Sequence, residues 1–151
     1  MNVLLDIQIG IGFANLQFGC KQDEVEQYFG KPTSVEIMNE GEGYDVTVWH
    51  YDLGFSIFFD DWEPKRFVCV DVDAKKAILW GKNVFEMKEH EIIGLFKKQG
   101  MYLYEVEEQA WGEKRLSFDE ANVDFYFENG ELLSVYYGII KEGAQTLILP
   151  N

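Results

Sequence analysis

Five positions of one short acidic segment return 67 residues later: Phe18, Glu24, Val25, Tyr28 and Phe29 correspond to Phe85, Glu91, Ile92, Leu95 and Phe96. In each copy the last three stand at i, i+3 and i+4, a single apolar stripe on an otherwise charged helix. Asp23 and Glu24 fall in the first turn of the first copy, where the positive end of the helix dipole favours carboxylates. Gly30 suits a C-terminal cap and Pro32 forbids continuation, while Gly100 closes the second copy. The pattern predicts helices over about 21–29 and 88–99.

Strand signals follow each helix. After the first they are 34–39, the alternating YDVTVWHY at 44–51, FSIFFD at 55–60 and RFVCVDV at 66–72, separated by the turns EGEG (40–43) and DWEPK (61–65). After the second they are 101–109, 114–119, 123–128 and 131–138, with Asn129-Gly130 the strongest hairpin signal in the chain. Phe55, Ile57 and Phe59 recur as Val123, Phe125 and Phe127 at a spacing of 68, and Phe67 as Leu133 at 66. The connections are too short for parallel crossovers. The reading is therefore an α+β fold of two tandem repeats, about 13–80 and 83–138, each one helix plus a four-stranded antiparallel meander. A unit of this size cannot bury its sheet alone, so the two share one core in a single domain, 1–151, with a short tail at 139–151.

The helix frame Phe18-Gly19, Glu24-Val25, Gly30 and Pro32, followed by Trp49-His50-Tyr51 in the meander, resembles the SmpA/OmlA module of small bacterial envelope lipoproteins. Doubled, the unit is similar to the fold of the beta-lactamase inhibitory (BLIP-like) proteins, over about residues 13–138. The resemblance implies a protein-binding surface and no catalysis.

Charge narrows the partner. With 27 acidic and 13 basic residues the chain carries a net charge of −14, a field that repels phosphate backbones and speeds encounter with a basic protein. Nucleic acid is excluded as a partner on that ground. Cys20 and Cys69 are too few for a disulfide framework and lack the histidine pairing of a zinc site, so reduced thiols are expected. MNVLLDIQIGIG lacks a basic leader region, and LQFGC at 16–20 departs from a lipoprotein cleavage box at Gln17 and Phe18. No run reaches the about 18 apolar residues of a membrane span. These features lead to a cytoplasmic expectation with no membrane association.

Strand alternation sorts the faces. Val46 and Val48 are expected inward with Phe55, Ile57, Phe59, Val123, Phe125 and Phe127. Trp49, Tyr51, Phe58 and Tyr126, with Asp45, Asp124 and Glu128, are then expected on an outward aromatic and acidic face, the composition that protein interfaces prefer. His50 shares the Val46 and Val48 face and reads first as a core histidine. His90 reads as solvated. Asp60-Asp61 and Asp71-x-Asp73 lack a calcium-loop pattern, GIG at 10–12 lacks the Lys-Ser/Thr of a phosphate loop, and no nucleophile–base constellation stands out. No cofactor and no metal are expected. The function expected is a non-enzymatic acidic protein-binding module that neutralises a basic partner, in the manner of an immunity or inhibitor protein. The alternatives are a small-ligand binder or enzyme with a pocket between the sheets using His50, and a domain that assembles with itself.

Overall fold

The structure is a computed structural model that describes residues 3–39, 45–61, 63–142 and 146–147. The expected EGEG turn and Tyr44, Trp62, and most of the C-terminal tail lie outside the described residues. The chain opens with three short strands, β1 (Asp6–Gln8), β2 (Gly12–Phe13) and β3 (Leu16–Gln17), and then helix α1 (Gln22–Phe29). Strands β4 (Ser34–Asn39), β5 (Asp45–Tyr51), β6 (Phe55–Phe59) and β7 (Phe67–Val72) follow as a meander. Two more short strands, β8 (Ile78–Leu79) and β9 (Lys82–Asn83), precede helix α2 (Glu89–Lys98). The second meander is β10 (Glu105–Glu108), β11 (Glu113–Phe118), β12 (Val123–Glu128) and β13 (Glu131–Gly138).

Local chemistry explains the helix ends. The Glu24 carboxylate accepts the Lys21 backbone N–H at 3.0 Å, and Glu91 accepts that of Lys88 at 2.8 Å, so each helix ties down its own entry turn. Gly30 leaves α1 at φ 84°, a conformation that costs glycine nothing, and its carbonyl accepts the Tyr51 hydroxyl at 2.9 Å. Asn129 and Gly130 both take positive φ, 52° and 85°, the combination a two-residue hairpin turn requires.

The expected α+β pair of repeats, each with its own sheet, is overturned, and the BLIP-like description with it. The structure is mostly β: among the described residues 46% are strand and 18% helix. All eight meander strands join one continuous sheet in the order β10-β11-β12-β13-β7-β6-β5-β4. The seam is antiparallel pairing of β13 with β7, Val135 opposite Val72 and Gly138 opposite Cys69. Separate sheets would leave four free edges; merging them leaves two and satisfies the backbone groups of β7 and β13. The short strands form a second sheet, β3-β2-β1-β8-β9, and its centre is a parallel pair, Ile7 beside Leu79. No element was expected at either segment, because runs of two or three residues are too brief for alternation to register.

One core unites these layers. α1 contributes Val25 and Phe29, α2 contributes Ile92, Leu95 and Phe96, and the small sheet contributes Ile7, Phe13 and Leu79, all packed on one face of the large sheet. Tyr137 bolts the two sheets together: its buried hydroxyl donates to the Gly12 carbonyl at 2.7 Å and accepts the Gln8 N–H at 3.3 Å.

Candidate functional site

Register decides which side chains share a surface. Trp49 lies opposite Ile57 and Tyr51 opposite Phe55, so both aromatics join the core face rather than the outward one. Trp49 is 9% exposed against Phe59, and Tyr51 6% exposed against Phe29. The assignment of β5 was therefore inverted. Two aromatic rings bury far more apolar area than Val46 and Val48, and the Tyr51 hydroxyl still finds a partner inside. Phe58, Asp124 and Tyr126 do occupy the opposite face, half-buried. Asp45 is exposed at the start of β5, in step with Trp49, and Glu128 is exposed at the end of β12. The seven residues expected to form one surface thus divide between two.

The opposite face has an order that was not anticipated. One cross-strand row runs through all eight strands: Glu105, Ser117, Asp124, Tyr136, Asp71, Ser56, His50 and Ser34. Every member is polar. Each inner strand interrupts its apolar residues with one such side chain, the Ser of FSIFF, the Asp of VCVDV, the Asp of VDFYF and the Ser of LSF; that shared interruption was the signal available in the sequence. His50 sits between Ser56, 2.8 Å from Nδ1, and Glu36, 2.9 Å from Nε2. An ionised Glu36 can only accept, so Nε2 carries a proton, and in the neutral ring Nδ1 accepts from the Ser56 hydroxyl. Phe58, in the next row, meets Tyr136 of the polar row edge to face at 5.4 Å.

Asp71 is the strained member of the row. Its Oδ1 is buried without a hydrogen-bond partner, and burial, then repulsion from Asp73, pushes its carboxyl up to about 6, against a pull downward from His50. The folded carboxyl keeps its proton to higher pH than the unfolded one, so stability is lost as pH rises from about 4 to about 6. Asp71→Asn is expected to stabilise the protein at pH 7 by about 1–3 kcal/mol, and by almost nothing near pH 3.5. Urea denaturation at both values checks this; an equal effect at the two pH values would exclude the linkage.

A second feature is the free edge at β10. All four of its residues are exposed, and it pairs with β11 alone. Five large apolar side chains crowd this edge and its flanks: Tyr102 is 64% exposed, Leu103 80%, Tyr104 43%, Val106 42% and Trp111 68%. Carboxylates surround them. Glu107 accepts from Arg115 at 3.5 Å, and Glu113, Glu128 and Glu131 stand opposite one another on successive strands. Like charges so placed repel, which costs stability without any packing gain. Gln109 N–H bonds inward to the Glu113 carbonyl, so alternation turns the N–H groups of Val106 and Glu108 outward from the sheet. The sequence showed a strand here; it did not show that the strand would be an edge.

Other candidates are quiet. Burial, with Glu24 and Asp23 nearby, pushes the Cys20 thiol up to about 12, and burial also raises Cys69 against a hydrogen bond with Tyr136; neither is an activated thiol. His90 is exposed on α2. Among the described residues no group of three or more His, Cys, Asp or Glu side chains is placed to hold a metal ion, and no helix is long and apolar enough to cross a membrane.

No family model matches the chain, and no curated protein matches it. A crystal structure of an extracellular protein containing an SCP domain, from Bacillus anthracis, is similar over 87% of this chain and 47% of that one, at 18% identity and a TM-score of 0.49. The chain spans about half the length of that protein.

Proposed function

We propose that the chain is a non-catalytic, acidic binding module that captures a basic protein partner, in the manner of an inhibitor or immunity protein, by accepting an extended segment along β10. The observation that carries this reading is the edge itself: exposed backbone donors and acceptors, flanked by apolar anchors and set in a carboxylate field. Main-chain pairing at a sheet edge gives affinity, side chains along the strand give selectivity, and a net charge of −14 draws a basic partner in. A naked apolar edge invites aggregation, and the glutamates of β10 guard against pairing with a second copy of the same acidic edge.

The test uses an alternating Lys-Val octapeptide and the isotope-labelled protein. Amide shifts are expected to centre on residues 102–118 and binding to weaken as salt rises. Val106→Pro removes an outward N–H while leaving the β10–β11 ladder intact, and should weaken the peptide by about tenfold or more with the fold retained. Shifts centred on the polar row instead, or a Val106→Pro protein that binds undiminished, would exclude the edge.

One observation favours a second reading, a hydrolytic or small-ligand site: the Ser56–His50–Glu36 hydrogen-bond chain. His50→Ala separates the two. It leaves edge binding unchanged under the first and abolishes turnover of an activated ester under the second.

A further inference from the structure

A cleft of about 440 Å³ opens at one end of the edge strand, lined by Leu103, Tyr104, Glu105, Ser117, Asp119 and Glu120. Ser117 and Glu105 are cross-strand partners, and just beyond Ser117 the chain turns through Asp119–Ala121, which brings Asp119 and Glu120 to the same end. Three carboxylates and no cationic side chain line it. Ser117 is only 2% exposed, and its hydroxyl has no hydrogen-bond partner. A buried hydroxyl left unpaired is costly, and an N–H donor entering the cleft supplies what it lacks.

We propose that this cleft is a guanidinium pocket that takes an arginine side chain of the basic partner. The proposal rests on the edge reading only for the source of that arginine. The carboxylates are not gathered closely enough to hold a metal ion. A guanidinium spreads its charge over a plane with five N–H donors, so it meets separated acceptors that a point charge cannot, and it is more weakly hydrated than an ammonium. Tyr104 supplies a ring and Leu103 an aliphatic wall for the flat face and the methylene stem. Because the cleft sits where β10 begins, a bound arginine would also set the register of the added strand.

The experiment titrates N-acetyl-arginine amide, its lysine counterpart and its uncharged citrulline counterpart into the isotope-labelled protein. Shifts are expected at 103–105 and 117–120, strongest for arginine, weaker for lysine and weakest for citrulline. Asp119→Asn combined with Glu120→Gln should weaken the arginine compound by about tenfold, and Ser117→Ala by about threefold while the melting temperature holds or rises, since the unpaired hydroxyl is removed. Citrulline binding as well as arginine, or shifts scattered over the acidic surface, would overturn the pocket. Val106→Pro should not affect the capped amino acid. Should the arginine compound seat in the cleft while the octapeptide adds no strand, the edge reading falls and the pocket stands; the reverse result removes the pocket alone.

Discussion

Replacing Phe96 by alanine is expected to cost about 3–5 kcal/mol of folding stability. The ring is fully buried and stacks on Phe118 at 3.9 Å and 10° between planes, with Phe125 at 5.7 Å and Trp80 at 4.9 Å. It therefore touches the large sheet and the turn between β8 and β9 of the small sheet at once. A cavity between elements anchored independently cannot close by a small local shift, which places this site toward the upper part of the range. Phe29 holds the equivalent place on α1, against Phe55 at 4.7 Å and Tyr51 at 5.6 Å, but is 8% exposed. Phe29→Ala should be comparable and toward the lower part. Chemical denaturation with an unchanged slope measures both; a near-neutral Phe96→Ala would mean that α2 is not seated on the sheet as described.

Trp49→Ala is expected to cost about 3–4 kcal/mol, and to affect a partner only by depleting the folded protein. From alternation alone Trp49 reads as an interface anchor whose loss would speed dissociation and spare the fold. Its burial against Phe59 at 4.9 Å and its pairing with Ile57 make it core instead. Denaturation gives the stability change, and peptide affinity per folded molecule, measured by NMR, gives the other half. A protein of unaltered stability that had lost the octapeptide would return Trp49 to the surface role.

Much of the local structure was legible. The stripe Val25, Tyr28, Phe29 and its echo Ile92, Leu95, Phe96 located helices observed at Gln22–Phe29 and Glu89–Lys98. Asn129-Gly130 located its hairpin. These signals act over a few residues, through hydrogen bonds and side-chain spacing within one turn. The candidate sites were less legible. Asp124, Tyr126 and Phe58 were placed on the right face, whereas Trp49 and Tyr51 were not. Ser117 went unremarked, and Asp71 was weighed only as half of an Asp-x-Asp pair, because each is unexceptional within its own strand and acquires meaning only as part of one row.

By itself the sequence determined the helix termini to within a residue, most of the meander strand spans, the turn chemistry and a charge that disfavours nucleic acid, since each depends on neighbours in the chain or on composition alone. Tertiary structure decided the rest. Alternation divides a strand into two sets of residues but does not say which set is inside; that sign follows from the total area buried across partners far apart in sequence, as Trp49 and Tyr51 show against Val46 and Val48. Whether eight strands form two sheets or one depends on the pairing of β7 with β13, whose worth cannot be read from either strand. The same pairing covers the edges at β7 and β13 and leaves β10 and β4 as the two that remain, the first of which carries the proposed function.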